Sequence, residues 1–185
     1  MTTLAPTPGQ TVGPFFGYAL PFDGGAELVP VGCPGAIRLH GTVFDGAGIP
    51  VPDAIIELWQ ADANGSVPQV EGSLARDGWT FTGFGRTPVD DTGHYSFTTL
   101  RPGPAEPHRA PFFAITVFAR GLMHRLFTRA YLPLDHDAAA NDPLLSTVPE
   151  ERRATLIARP DEHGFVFDIT LQGSGETVFI EYGAR

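Results

Sequence analysis

The sequence predicts an all-β protein: a β-sandwich with long loops and one short helical insertion near residues 141–157. Three observations carry this. Short runs that alternate apolar with polar residues recur along most of the chain, the period-2 signature of strands with one buried face. Turn residues separate these runs, and the 22 glycines and 18 prolines show no Gly-X-Y period. With 42% hydrophobic residues, that composition points to turns and ordered loops, not to disorder. Only the stretch from Asn141 to Ile157 breaks the strand pattern.

At 185 residues the chain is most simply one folded domain, divided here into an N-terminal arm and loop, 1–35, that docks on a partner, and a sandwich, 36–185. Met1–Pro8 reads as an extended arm. In Thr11-Val12-Gly13-Pro14-Phe15-Phe16 the Gly-Pro pair sets a bend, and two adjacent phenyl rings call for cover. The central pair of strands follows. Ile37, Leu39, Gly41 and Val43 alternate with Arg38, His40 and Thr42, and Asp45–Gly48 turns the chain. Ala54–Asp62 is the second strand, with Ile56 and Leu58 inward and either Gln60 or Trp59 completing that face, and Asn64-Gly65 closes it.

Trp79–Phe84 alternates aromatic with small residues and reads as a strand or extended segment. Asp90–Gly93 is a turn before a strand over His94–Thr99, and Arg101-Pro102-Gly103-Pro104 opens a proline-rich loop. Phe112–Arg120 is the most apolar strand, and Leu126–Leu132 alternates after it. Asn141-Asp142-Pro143-Leu144-Leu145 reads as the cap and opening of a short helical turn, with Pro near the first helical position, and Pro149-Glu150-Glu151 as the start of another with acids in its first turn. Phe165–Leu171 and Thr177–Tyr182 finish the chain as strands around a Gln172–Gly175 loop.

The charge narrows the function. The formal net charge is −9 and all 12 basic residues are arginine, so there is no basic stripe for nucleic acid or an anionic membrane. Cys33 is alone, and neither a signal peptide nor an apolar run of membrane-spanning length is visible; a cytoplasmic protein is expected. The histidines, His40, His94, His108, His124, His136 and His163, form no local metal-ligand pair. His108, His124 and His136 meet only if the fold brings them together, and solvated loop histidines are the plainer reading. No Gly-x-Ser-x-Gly is present, and without lysine there is no phosphate loop. Arg129 stands out in mid-strand. It is either plain surface or, at a rim or interface, a guanidinium that needs an anion.

Several segments together resemble the intradiol ring-cleavage dioxygenases. They are Gly41-Thr42-Val43, Pro50–Ala54, the run from Glu57 to Gly65, Gly93–Thr99, Arg101–Pro104 and Leu171–Phe179, in the family's order. The resemblance implies a sandwich of prealbumin-like or Ig-like arrangement and non-haem ferric iron held by two Tyr and two His. Carried over by position, one Tyr place is Ala105 and the two His places are Phe112 and Ala114; 65–78 contains no Tyr for the other. Phe cannot replace an imidazole at a metal, so no metal ligand and no catalytic residue is expected in this chain.

The family includes iron-free α subunits that pair with a homologous, iron-binding β subunit. Membership of that kind implies cleavage of 3,4-dihydroxybenzoate with O2 to 3-carboxy-cis,cis-muconate. It also implies a substrate-pocket wall built from Thr11, Gly13, Pro14, Phe15 and Arg129. Phe15 lacks the hydroxyl the family places there, and Arg109 matches a position near the iron and is expected to be a relic or an ion-pair partner. Phe15, Phe16, Phe112 and Phe113 are expected to offer apolar surface to the β subunit. The rival reading is a non-catalytic β-sandwich binding or structural module; a metalloenzyme using His108, His124 and His136 comes last.

Overall fold

The computed structural model describes residues 16–70, 74, 76–107, 109–134 and 136–182. After a helical turn, α1 (Phe16–Ala19), the chain runs through β1 (Ala36–Phe44), β2 (Ile55–Gln60), β3 (Phe84–Pro88), β4 (His94–Leu100), β5 (Phe112–Phe118) and β6 (Leu126–Tyr131). The insertion follows: α2 (His136–Asn141), a 3-10 turn at Leu145–Thr147, α3 (Glu150–Arg153) and a 3-10 turn at Ala154–Leu156. Three short strands come last, β7 (Arg159–Asp161), β8 (Gly164–Val166) and β9 (Ile169–Thr170). Among the described residues no helix is long and apolar enough to cross a membrane.

The strands form two sheets, as expected. One is ordered β4-β1-β8-β7, with β9 parallel to the far end of β1; the other is β3-β2-β5-β6, antiparallel throughout. The alternation in β1 and β4 sends Leu39, Val43, Tyr95 and Phe97 to the interior, where they meet Ile56, Leu58, Phe113, Ile115 and Val117 of the second sheet. Burying each such side chain stabilises the fold by about 1.5–3 kcal/mol. In β2 the inward set is Ile56, Leu58 and Gln60, whereas Trp59 faces outward and is 40% exposed. Gln60 tolerates burial because its amide is used up: Nε2 donates to the Ala61 and Leu100 carbonyls, and Oε1 accepts from Thr99.

Three segments differ from the expectation. Of the strand or extended segment expected over Trp79–Phe84, only Phe84 lies in a ladder, and Trp79 is 94% exposed. Alternation alone does not make a strand where no edge is available to pair with. The expected strand over Phe165–Leu171 is split, because Asp168 turns its carboxylate back to accept from the Thr42 backbone N–H at 3.0 Å. Thr177–Tyr182 forms no regular strand and is tied by single bonds, such as Ile180 N–H to the Phe127 carbonyl at 2.7 Å.

The insertion has its own small core. Leu145, Val148 and Leu156 pack on Tyr131 and Ala110, against the side of β6. Asp142 organises it. Its carboxylate is fully buried; Oδ1 accepts from the Leu144 and Leu145 N–H groups and from the Tyr131 hydroxyl, and Oδ2 from the Ala110 N–H. The cap expected somewhere in Asn141–Leu145 is supplied by Asp142, on a 3-10 turn. Glu150 and Glu151 sit in the first turn of α3, as expected. Of residues 16–35, Leu28 and Val29 are buried, and Leu28 belongs to the main core.

Candidate functional site

The outer face of the second sheet holds the site. Its register places Trp59 of β2 beside Ala114 of β5, and Ala114 beside Arg129 of β6; the next row pairs Phe112 with Tyr131. A methyl group flanked by an indole and a guanidinium leaves space. The resulting cavity of about 250 Å3 is lined by Trp59, Gln60, Ala105, Phe112, Ala114 and Arg129, with Val67, Gly103 and Tyr182 among its other walls. Gly103 and Ala105 come from the Pro-Gly-Pro loop, which is pinned to the turn after β2 by the Gly103 N–H to the Asp62 carbonyl at 2.7 Å.

Arg129 is the only cation among these lining residues. Its guanidinium lies over the Phe112 ring, 3.9 Å from the centroid, and Nη1 donates to the Tyr131 hydroxyl at 3.3 Å. That hydroxyl donates onward to Asp142 Oδ1 at 3.2 Å. Burial pushes the Tyr131 phenol up to about 12, against the opposing pull of Arg129, so it remains a hydroxyl at neutral pH. Arg129 is half-buried.

Ala105, Phe112 and Ala114 all face this cavity, so the fold brings together the three places that the resemblance matches to iron ligands. They offer two methyl groups and a phenyl ring under a guanidinium. Tyr182 is the one phenol in the lining, and the Gln60 amide is already spent. This donor set does not fit ferric iron, which takes anionic oxygen and imidazole ligands. Among the described residues no group of three or more His, Cys, Asp or Glu stands together as a metal site.

The other expected positions are distributed as follows. Thr11, Gly13, Pro14 and Phe15 lie outside the described residues, as does His108. His124 is exposed in the connection before β6, and nothing is described of the side chains of Phe16 and His136. Arg109 donates from Nη1 to Glu106 at 2.9 Å, the ion-pair role expected of it. Phe113 is a correction: it is fully buried between the sheets and offers no surface to a partner. Phe112 and Phe113 are neighbours on a strand, so they point to opposite faces.

A second polar cluster was not anticipated. His40, on the outward face of β1, is only 7% exposed. Its Nδ1 faces His94 Nε2 at 3.2 Å, and its Nε2 lies 3.2 Å from Asp161 Oδ2. Burial, then repulsion from His40 and Arg38, lowers the His94 pKa, against weaker attraction from Asp90 and Asp168. The unfolded imidazole takes up its proton near the ordinary value of 6.5, while the folded one resists until lower pH. Stability is therefore expected to fall as pH drops below that value. Urea midpoints measured across this range should show the fall, and His94→Gln should flatten it; a wild-type midpoint that does not move would refute it. Only the pairing of β1 with β4, which sets His40 against Ser96 and Thr42 against His94, brings the two rings together.

Comparison with known proteins gives this geometry its context. A family model described as Dioxygenase matches residues 13–173. The chain is 40% identical over 200 aligned residues to the protocatechuate 3,4-dioxygenase alpha chain of Burkholderia cepacia, covering 98% of this chain and 100% of that one. The alpha chain of Pseudomonas putida is 38% identical, with 97% and 98% covered. The beta chain from Burkholderia cepacia is 35% identical over 156 residues, with 76% and 66% covered. Among solved structures, the dioxygenase domain of a carbohydrate-binding fusion from Streptomyces sp. SirexAA-E superposes with a TM-score of 0.60 at 26% identity, covering 92% of this chain and all of that one. A family match over residues 13–173, with 38–40% identity to relatives covered almost end to end, makes this chain a member of the intradiol ring-cleavage dioxygenases.

Proposed function

We propose that this chain is the α subunit of a protocatechuate 3,4-dioxygenase and works with a homologous β subunit that holds the non-haem ferric iron. The observation that carries this is the chemistry of the cavity, read beside the full-length likeness to alpha chains: the family's fold is kept, while alanine, phenylalanine and alanine stand at matched ligand places. The complex would insert both atoms of O2 into 3,4-dihydroxybenzoate and open the ring between the hydroxylated carbons, giving 3-carboxy-cis,cis-muconate. Ferric iron in the partner supplies Lewis acidity that favours the deprotonated diol.

This chain's part is to bind and enclose. Thr11, Gly13, Pro14 and Phe15 of the arm, within the docking segment 1–35, would wall the partner's substrate pocket, and Phe15 contributes a phenyl face without a hydroxyl. Arg129 supplies a cation suited to the ring carboxylate, since a carboxylate leaving water needs a partner of opposite charge or several donors. The complex is proposed to be cytoplasmic.

Co-expression with the candidate β subunit tests the reading. The purified chain alone is expected to be colourless, inactive on 3,4-dihydroxybenzoate and prone to self-association; the complex is expected to carry iron and consume O2 with the substrate. A visible absorption band with stoichiometric iron in the isolated chain would overturn the assignment of iron to the partner. A chain that stays monomeric and ignores the β subunit would favour the non-catalytic module.

A further inference from the structure

The outer face of the first sheet carries an arrangement that the proposed function does not use. His40 projects from β1, which is paired with β4 on one side and β8 on the other. Its register partner on β4 is Ser96, and His94 stands two residues along, opposite Thr42. Diagonal positions of this kind lie about 7–8 Å apart, within reach of long side chains. The two rings close that gap: His40 Nδ1 is 3.2 Å from His94 Nε2. Behind His40, Nε2 lies 3.2 Å from Asp161 Oδ2. Asp161 is itself held, since its Oδ1 accepts from the His163 backbone N–H at 2.8 Å.

Asp161 sets the tautomer of His40. A carboxylate at Nε2 keeps the proton there and leaves the Nδ1 lone pair on the side of His94. The gap between the two nitrogens has metal-ligand dimensions. Two zinc–nitrogen bonds of about 2.0–2.1 Å across 3.2 Å enclose an angle of about 99–106°, close to tetrahedral. A turn of the half-exposed His94 ring about χ2 brings its lone pair to that shared point, while β1 and Asp161 hold His40. A ligating imidazole must be neutral, and burial, with repulsion from His40 and Arg38, lowers the His94 pKa from its usual value. The surrounding charges favour a cation. Asp90, Asp161 and Asp168 face the pair; Asp168 is shared with Arg159 at 3.0 Å, and Arg38 turns its Nε to Ser96 at 2.7 Å. His163, its ring centroid 6.5 Å from that of His40, lies 3.4 Å from Glu162.

We infer that His40 Nδ1 and His94 Nε2 form a binding site for a zinc-class divalent cation, with Asp161 as the orienting carboxylate behind His40. Imidazole nitrogens suit zinc, whereas magnesium and calcium take oxygen ligands. Two protein ligands leave the other positions to water, so the cation is exchangeable and not locked in as in a closed four-ligand structural site. The site lies on the outer face of the sheet opposite the Arg129 cavity and uses none of that cavity's residues, so it does not depend on the α-subunit reading.

The test is a calorimetric titration of zinc chloride into the EDTA-treated full chain at neutral pH. If the chain self-associates, its complex with the partner is titrated instead; the variants lie in this chain alone, so the differences still report this site. One equivalent per chain is expected to bind, and to be weakened at least about ten-fold in His40→Gln and in His94→Gln. Asp161→Asn keeps both ligands and should weaken binding by about 10–100-fold, the loss typical of an outer carboxylate. His124→Gln, at an exposed loop histidine, should change nothing. Zinc should also raise the urea midpoint of the wild type and leave that of His94→Gln in place. No saturable zinc binding, or an affinity that survives both histidine variants, overturns the inference and leaves the pair as a plain hydrogen bond. An Asp161→Asn variant that binds like the wild type overturns the role given to Asp161. If His40→Gln does not fold, His94→Gln and Asp161→Asn decide alone, since neither side chain is buried.

Discussion

Asp142→Ala is expected to lower the free energy of unfolding by about 3–5 kcal/mol, the range of a broken buried polar network. The residue is fully buried and serves four donors: the N–H groups of Ala110, Leu144 and Leu145 and the hydroxyl of Tyr131. Alanine would leave them facing one another in a space too small to rehydrate them well. Because a domain of this kind is stable by about 5–15 kcal/mol, the loss is a large share of the total. Asp142→Asn keeps one acceptor oxygen but turns an NH2 group toward a donor, and should cost about 1–3 kcal/mol. Urea titration followed by fluorescence gives both values. A loss under about 1 kcal/mol for the alanine variant would show that the insertion is held by Leu145, Val148 and Leu156 and not by the carboxylate.

Gly65→Ala should be comparably severe, for a backbone reason. Gly65 closes the turn after β2 at φ +86°, a conformation that side chains disfavour, and a Cβ there would overlap the carbonyl of Pro104. That turn is built on Asp62, whose Oδ1 accepts from the Asn64 and Ser66 N–H groups while its backbone carbonyl receives Gly65 and Gly103. Neither backbone can retreat without moving the Pro-Gly-Pro loop and, with it, the Ala105 wall of the cavity. A cost of about 3–5 kcal/mol is expected, read from urea midpoints. Gly48→Ala is the matched control: φ is +77°, but nothing lies within 4 Å of its Cβ position. It should cost only the conformational share, about 1–2 kcal/mol. Equal losses at the two positions would show that the overlap with Pro104 relaxes freely.

The two networks meet at the cavity. Asp142 and Tyr131 hold Arg129 from the side of the insertion, and the Asp62 turn holds the Pro-Gly-Pro loop from the other. The site therefore stands on three paired strands between two anchored loops.

Local chemistry made much of this legible in the sequence alone. Period-2 alternation and turn residues determined β1, β2, β4, β5 and β6, the Asp90–Gly93 turn and a capped helical turn opening within Asn141–Leu145, because each depends on a few adjacent residues. The ordered motifs pointed to the family, and the residues at matched places, Ala105, Phe112 and Ala114, argued against a complete iron site. Pairing was beyond the sequence. Alternation made Trp79–Phe84 look like a strand, but a strand needs a neighbour, and only the fold shows that pairing starts at Phe84. Register was decided by the tertiary structure too: it set His40 against His94, sent Phe113 inward and Phe112 outward, and aligned Trp59, Ala114 and Arg129 across three strands. A lone arginine in mid-strand is ambiguous by itself. Its setting came from other residues: the Phe112 face beneath it and the Tyr131–Asp142 relay beside it.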